Sequence, residues 1–230
     1  MPAPDAPPCL QQSVFDVKNV KLDILSDPVC PWCLIGKANL DRALIDRPDH
    51  PFEIEWHPFQ LNPDMPPEGV DRHAYLEAKF GGRDGILEAY APIVEAADAM
   101  GLEIAWDRIT RTPNTLDAHR LIHWAGLDGR QQAAVSALFD EYFRRGADIG
   151  DHGVLVSIAE RIEMDGEMVS RLLSSDADRD DILTRDAHAR TRGVTGVPTF
   201  IIGNTHAVPG AQPPELWAQV LDELAVGAVE

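Results

Sequence analysis

Cys30-Pro31-Trp32-Cys33 sets two thiols two residues apart, just after an apolar run, Val20 to Leu25, that reads as a strand. At a strand-to-helix junction such a pair can close a small disulfide ring. A helix N-terminus supplies partial positive charge and free N–H groups, which favour a thiolate over a thiol. Cys30 stands at or just before the first helical turn and is therefore expected to be the exposed, acidic, attacking sulfur. Pro31 suits the first helical position, where a missing N–H costs nothing. Cys33 falls one turn in, on the buried side, placed to attack a mixed disulfide held on Cys30. This pattern points to dithiol–disulfide exchange. A structural zinc site would need a second pair of ligands. The remaining cysteine, Cys9, lies in a Pro-rich tail, and no histidine pair has ligand spacing, so no metal is expected.

The elements that must position these thiols follow from hydrophobic periodicity. Residues 20–26 read as a strand, and 31–46 as a helix buried along Gly36, Leu40, Ala43 and Leu44 that ends before Pro48. Phe52 to Trp56 alternates apolar with acidic residues, as a half-buried strand does. The strand signal then vanishes for more than a hundred residues. Tyr75 to Met100 looks helical, with breaks near Gly81-Gly82 and Pro92. Asn114 can cap a helix buried along Ala118, Leu121, Ile122 and Ala125. The same spacing recurs from Val135 to Tyr142 and from Leu155 to Ile162, and a last helix of this block spans Asp178 to Arg192. Strand signals return at Thr199 to Ile202, with Thr205 to Val208 as a hairpin partner across Gly203-Asn204. A closing helix starts near Pro213-Pro214 and buries Trp217, Val220, Leu221 and Leu224. The order is β-α-β, an all-helical insertion, then β-β-α.

A second stretch completes the candidate site. Gly193 to Phe200 leads into the third strand through Val197-Pro198. Pro198 cannot donate to a ladder. A cis Val197–Pro198 bond would turn Val197 outward, offering its N–H and C=O to an extended peptide, while the imide ring presents no N–H to a neighbouring sulfur. Asp27, three residues before Cys30, is a candidate for tuning the thiol pKa; the competing reading is a loop carboxylate facing water. Trp32, between the cysteines, is a candidate substrate contact.

The formal net charge of -18 argues against nucleic-acid or anionic-membrane partners, because phosphates would be repelled. No run is long enough to span a membrane, and the Pro-rich start has neither a basic nor an apolar signal region. Three cysteines, two of them in one motif, leave no disulfide framework, so a cytoplasmic setting is expected.

Several stretches together resemble the thioredoxin-fold DsbA superfamily, and within it the FrnE-like subgroup. They are Ser26 to Lys37, Pro58 to Pro63, Asn114 to Leu121, and Gly193 to Phe200 with Gly210-Ala211-Gln212. The resemblance implies an α/β thioredoxin-like fold: residues 13–64 and 193–230 form a discontinuous thioredoxin-like domain, 65–192 form a helical insertion, and 1–12 form a disordered tail. It implies Cys30 as nucleophile, Cys33 as resolving thiol and Pro198 as cis-proline, acting on protein or low-molecular-weight disulfides. It also places the Asn114-Thr115 stretch at the active-site cleft, which makes Asn114 a candidate substrate contact. No tightly bound cofactor is implied, and glutathione is a candidate redox co-substrate. Some members of the subgroup carry a further C-terminal cysteine motif that this chain lacks. The sister hydroxychromene-carboxylate isomerases and kappa-class glutathione transferases offer an alternative, a glutathione-dependent reaction on a small hydrophobic molecule. They usually keep a serine where Cys30 stands, and the presence of both thiols favours disulfide chemistry.

Overall fold

In the computed structural model, residues 19–227 are described; Cys9 and the tail assigned to 1–12 lie outside them. β1 (Val20–Ser26) pairs in parallel with β2 (Phe52–Pro58), and the two are joined by α1 (Pro31–Ile45). Cys30 is the N-cap of α1 in extended backbone conformation and Pro31 takes the first helical position, as the sequence predicts.

The helical block comes next. It opens with β3 (Val70–Asp71), α2 (Arg72–Phe80), α3 (Arg83–Ala99) and β4 (Arg111–Thr112). It continues through α4 (Leu116–Leu127), α5 (Gln131–Phe139) with a π-helical turn over Asp140–Arg145, α6 (His152–Arg161), α7 (Gly166–Leu173) and α8 (Arg179–Thr191). Then β5 (Thr199–Ile202) runs antiparallel to β1, β6 (His206–Pro209) antiparallel to β5, and α9 (Pro214–Gly227) closes the chain. The sheet order β2-β1-β5-β6, interrupted by helices after β2, is the thioredoxin-like arrangement with a helical insertion.

Three differences from the sequence reading have local causes. The insertion is not purely helical: β3 and β4 make a two-rung antiparallel ladder, too short to leave a periodic signal. Pro92 does not break α3. It sits on the exposed side, where the Glu88 carbonyl it frees faces water, while Ile93 and Ala97 hold the opposite side buried. The helix capped at Asn114 starts instead after Thr115, with Asn114 Oδ1 accepting the Leu116 N–H at 2.9 Å.

The hairpin turn falls at Gly203-Asn204, both with positive φ, which suits the tight primed turns that match strand twist. α1 packs on the sheet through Leu40 and Ala43 and against α9, while Ile35 joins Ile93 and Ala97 of α3. At Gly36 α1 lies close against Pro198 and β5. A Cβ there would stand 3.0 Å from the Pro198 ring and 3.3 Å from the Phe200 ring. Gly36→Val is therefore expected to overpack this contact and lower stability by about 1–3 kcal/mol, read as a shift of the urea midpoint.

Candidate active site

The dithiol lies where β1 ends and α1 begins. The Cys30 N–H donates to the Asp27 carbonyl at 2.9 Å, and the Cys30 carbonyl accepts from Cys33 and Leu34 N–H at 3.0 and 3.2 Å. These bonds wind the first turn and set the two sulfurs on one side of it. No carboxylate occupies that turn, so nothing there opposes the helix dipole. Both thiols are free. Contrary to expectation, Cys30 is not exposed: it is 4% accessible, against 1% for Cys33. The cause is the loop before β5, whose Val197 carbonyl accepts the Cys30 thiol at 3.6 Å. Burial pushes the Cys33 thiol well above its ordinary range. The neighbouring Cys30 raises it further, while the Ser26 hydroxyl and the Asp27 backbone pull the other way.

The Val197–Pro198 bond is cis. Pro198 is buried under α1, Val197 is half-buried, and the Val197 N–H forms no hydrogen bond with a described residue. Trp32 is half-buried and packs against the cluster that Ile35 of α1 forms with Ile93 and Ala97 of α3, where α1 meets the helical block. Asn114 turns its side chain inward, donating to the Met65 carbonyl at 2.6 Å and accepting from Leu116 N–H and Gln60 Nε2.

Asp27 is buried rather than facing water, at 1% accessibility. Its carboxylate accepts the Leu61 N–H at 2.7 Å and the Val29 N–H at 3.3 Å. Burial raises its pKa to about 6; the two N–H groups and Thr115 oppose the rise, and the Asp186 charge adds to it. His119 stands beside it, with Nε2 4.0 Å from Asp27 Oδ1. Burial lowers the His119 pKa to about 4, Arg185 adds to the drop, and Asp186 opposes it. Burial thus inverts the usual order, because the carboxyl binds its proton more tightly than the imidazole does. His119 was missed from sequence. Its place on the buried stripe of α4 with Ala118, Leu121 and Ile122 was the available signal.

α8 supplies the remaining anchors. Asp186 accepts the Gln60 N–H at 2.7 Å, and Arg190 pairs with Asp186 at 2.8 Å, donates to the Gln60 carbonyl and lies 4.1 Å over the Phe59 ring. The loop after β2 is therefore held by two buried carboxylates, Asp27 and Asp186.

A free dithiol at this point of this sheet, faced by a proline loop, is the arrangement of thioredoxin-type thiol oxidoreductases. The chain belongs to the family described as DSBA-like thioredoxin domain, whose model matches residues 21–222. It is 28% identical over 205 residues to the uncharacterized protein YwbO of Bacillus subtilis (strain 168), covering 89% of this chain and 96% of that one. Among solved structures it is similar to a probable DsbA oxidoreductase of Streptomyces coelicolor, at TM-score 0.78 and 29% identity over 90% of each chain. It shares its fold with a 2-hydroxychromene-2-carboxylate isomerase, at TM-score 0.70 and 16% identity, covering 91% of this chain and 98% of that one.

A carboxyl with a raised folded pKa stabilises the fold while protonated and loses that contribution as pH rises through about 6. Asp27→Asn does not titrate. Its amide oxygen replaces only one of the two accepting oxygens, so it should start less stable than the wild type and gain on it as pH rises. The gain between about pH 4 and pH 7 should reach about 2 kcal/mol, measured by urea unfolding at each pH.

Proposed function

We propose that this protein is a thiol–disulfide oxidoreductase or isomerase of the FrnE-like subgroup, working through Cys30 and Cys33 on disulfides of proteins or small thiols. The observation that carries this reading is the pair of free thiols at the start of α1, with Cys30 held against the Val197 carbonyl at 3.6 Å. In this reading the Cys30 thiolate attacks one sulfur of a substrate disulfide, and the other sulfur leaves as a thiolate. The Cys33 thiolate then attacks Cys30 Sγ, forming the Cys30–Cys33 disulfide and releasing the second substrate thiol. Two electrons pass from the dithiol to the substrate, and two equivalents of a thiol such as glutathione restore the dithiol. The same steps run backwards when the partner is more oxidising.

Val197 takes the role of peptide contact, supported by its unpaired N–H beside the cis-proline. Asp27 takes the role of tuning residue, supported by its burial and its backbone contact with Cys33. Trp32 and Asn114 are assigned to positioning rather than to substrate, because their contacts run to the insertion and to the Met65 and Leu116 backbone. A cytoplasmic setting fits the use of two of the three cysteines in a single motif. No helix among the described residues is long and apolar enough to cross a membrane.

With glutathione disulfide as oxidant, Cys33→Ser should accumulate a Cys30–glutathione adduct, whereas Cys30→Ser should fall to the uncatalysed exchange rate, both read by thiol alkylation and mass spectrometry. Full exchange by Cys30→Ser would overturn the assignment. A wild-type protein that stopped at a stable Cys30 adduct with Cys33 free would favour the glutathione-dependent transferase or isomerase reading instead. Burial of Cys33 also sets the pH dependence of the resolving step. Its rate in the wild type should rise by about tenfold per pH unit from neutral pH upward, for as long as Cys33 stays mostly protonated. Rapid-mixing release of glutathione from the adduct measures it, and a flat profile would contradict it.

A further inference from the structure

The face of the sheet opposite α1 is covered on one half only. α8 lies over the β2 side, where Ala189 packs with Leu25 and Phe59. The hairpin has no such cover: Ile201 is half-buried, and His206, Ala207 and Pro209 of β6 are exposed. Between α8 and the hairpin lies a hollow of about 1050 Å³, at the upper end of the volumes that hold small-molecule ligands. Lys21, Asp23 and Leu25 of β1 point into it, alternate residues that span about 13 Å of strand. Along α8 and at its C-terminal cap, Arg185, His188 and Arg192 recur at helical spacing as its wall, and the small Ala189 between them leaves it depth. Its rim is the Gly193–Val197 loop. Cys30 and Cys33 do not line it, but Val197 and Pro198 do, so it adjoins the dithiol site across the proline loop.

The charge of the lining runs against that of the chain. The protein carries 38 Asp and Glu against 20 Lys and Arg, yet the hollow is lined by Lys21, Arg185 and Arg192 and by one carboxylate, Asp23. That carboxylate is already engaged: Asp23 accepts from His57 Nε2 at 2.7 Å and pairs with Lys21 at 3.1 Å. Arg185 donates to His57 Nδ1 at 3.0 Å, which leaves the ring proton on Nε2 for Asp23. Glu55 beside them pairs with Lys21 at 3.0 Å and with Arg185 at 3.6 Å. The Asp23–Glu55–His57 cluster is thus neutralised by two resident cations and offers little to a metal ion. Arg192 and His188, by contrast, form no ion pair with any described residue and stand exposed over the apolar floor. Addition of a peptide strand to β6 is disfavoured by its four-residue length and by Pro209, which has no N–H to donate.

We propose that this hollow binds a small organic anion with an apolar body, a medium-chain carboxylate in type. Its carboxylate lies on Arg192 and His188, and its hydrocarbon lies over Leu25, Ile201 and Ala207. The probes are octanoate and its neutral counterpart 1-octanol, titrated calorimetrically into the full-length wild type and two variants at exposed positions, Arg192→Glu and Ala207→Trp. The wild type should bind one octanoate per chain, at least about tenfold more tightly than octanol, because only the carboxylate gains charge-assisted hydrogen bonds. Arg192→Glu should weaken octanoate by about tenfold or more and leave octanol unchanged. Ala207→Trp, which fills the hollow, should abolish both, and circular dichroism confirms that each variant is folded. Absence of saturable octanoate binding up to millimolar concentration, equal affinity for octanol, or unchanged octanoate affinity in either folded variant would overturn the proposal.

Discussion

One buried carboxylate holds the site together. Asp27 accepts N–H groups from Val29, just ahead of the dithiol, and from Leu61, in the loop after β2. Two segments separated by α1 and β2 therefore share one anchor. An ionised group removed from water is costly, and here no cation offsets the cost; the carboxylate is stabilised by two amide dipoles and the Thr115 side chain. The incomplete compensation is what lifts its pKa to about 6. His119, with its Nε2 4.0 Å from Asp27, is held neutral by the same burial.

The helical block does more than cover the sheet. Its last helix, α8, carries Asp186 and Arg190 to the same loop that Asp27 grips from the other side. Elsewhere the block meets α1 where Ile35 joins Ile93 and Ala97, a cluster against which Trp32, between the two cysteines, also packs. Within the block, one buried guanidinium does the work of a cap: Arg120 donates to the carbonyls of Leu172, Ser175 and Ala177 around the end of α7 and pairs with Asp117. The first turn of α1 is thus braced from both sides, by the sheet loops and by the insertion.

Much of this frame was legible because it is local. Strand alternation at Phe52 to Trp56, the helical stripes of the insertion and the Gly203-Asn204 turn each depend on neighbours a few positions away. Where the reading failed, the deciding partner was remote or the element too short. Pro92 stays within α3 because Ile93 and Ala97 are buried against Ile35, a contact that no local rule contains. α7, of eight residues, and the two-rung ladder of β3 and β4 carry too few repeats to show a period. The side-chain partners of Asn114 are likewise remote as well as local: it accepts the Leu116 N–H at the start of α4 and also reaches Met65 and Gln60, about fifty positions away.

The sequence by itself determined the dithiol, its place at a strand-to-helix junction and the proline loop that faces it, because spacing along the chain decides which groups share a turn. It also determined the order of elements, and with it the class of fold. Only the tertiary structure decided that Cys30 is covered, that Asp27 is buried, and that His119 stands beside it. The residue whose carbonyl meets the Cys30 sulfur lies 167 positions further along the chain. Burial and pKa depend on which surfaces exclude water together, and that is a property of packed elements rather than of any one of them.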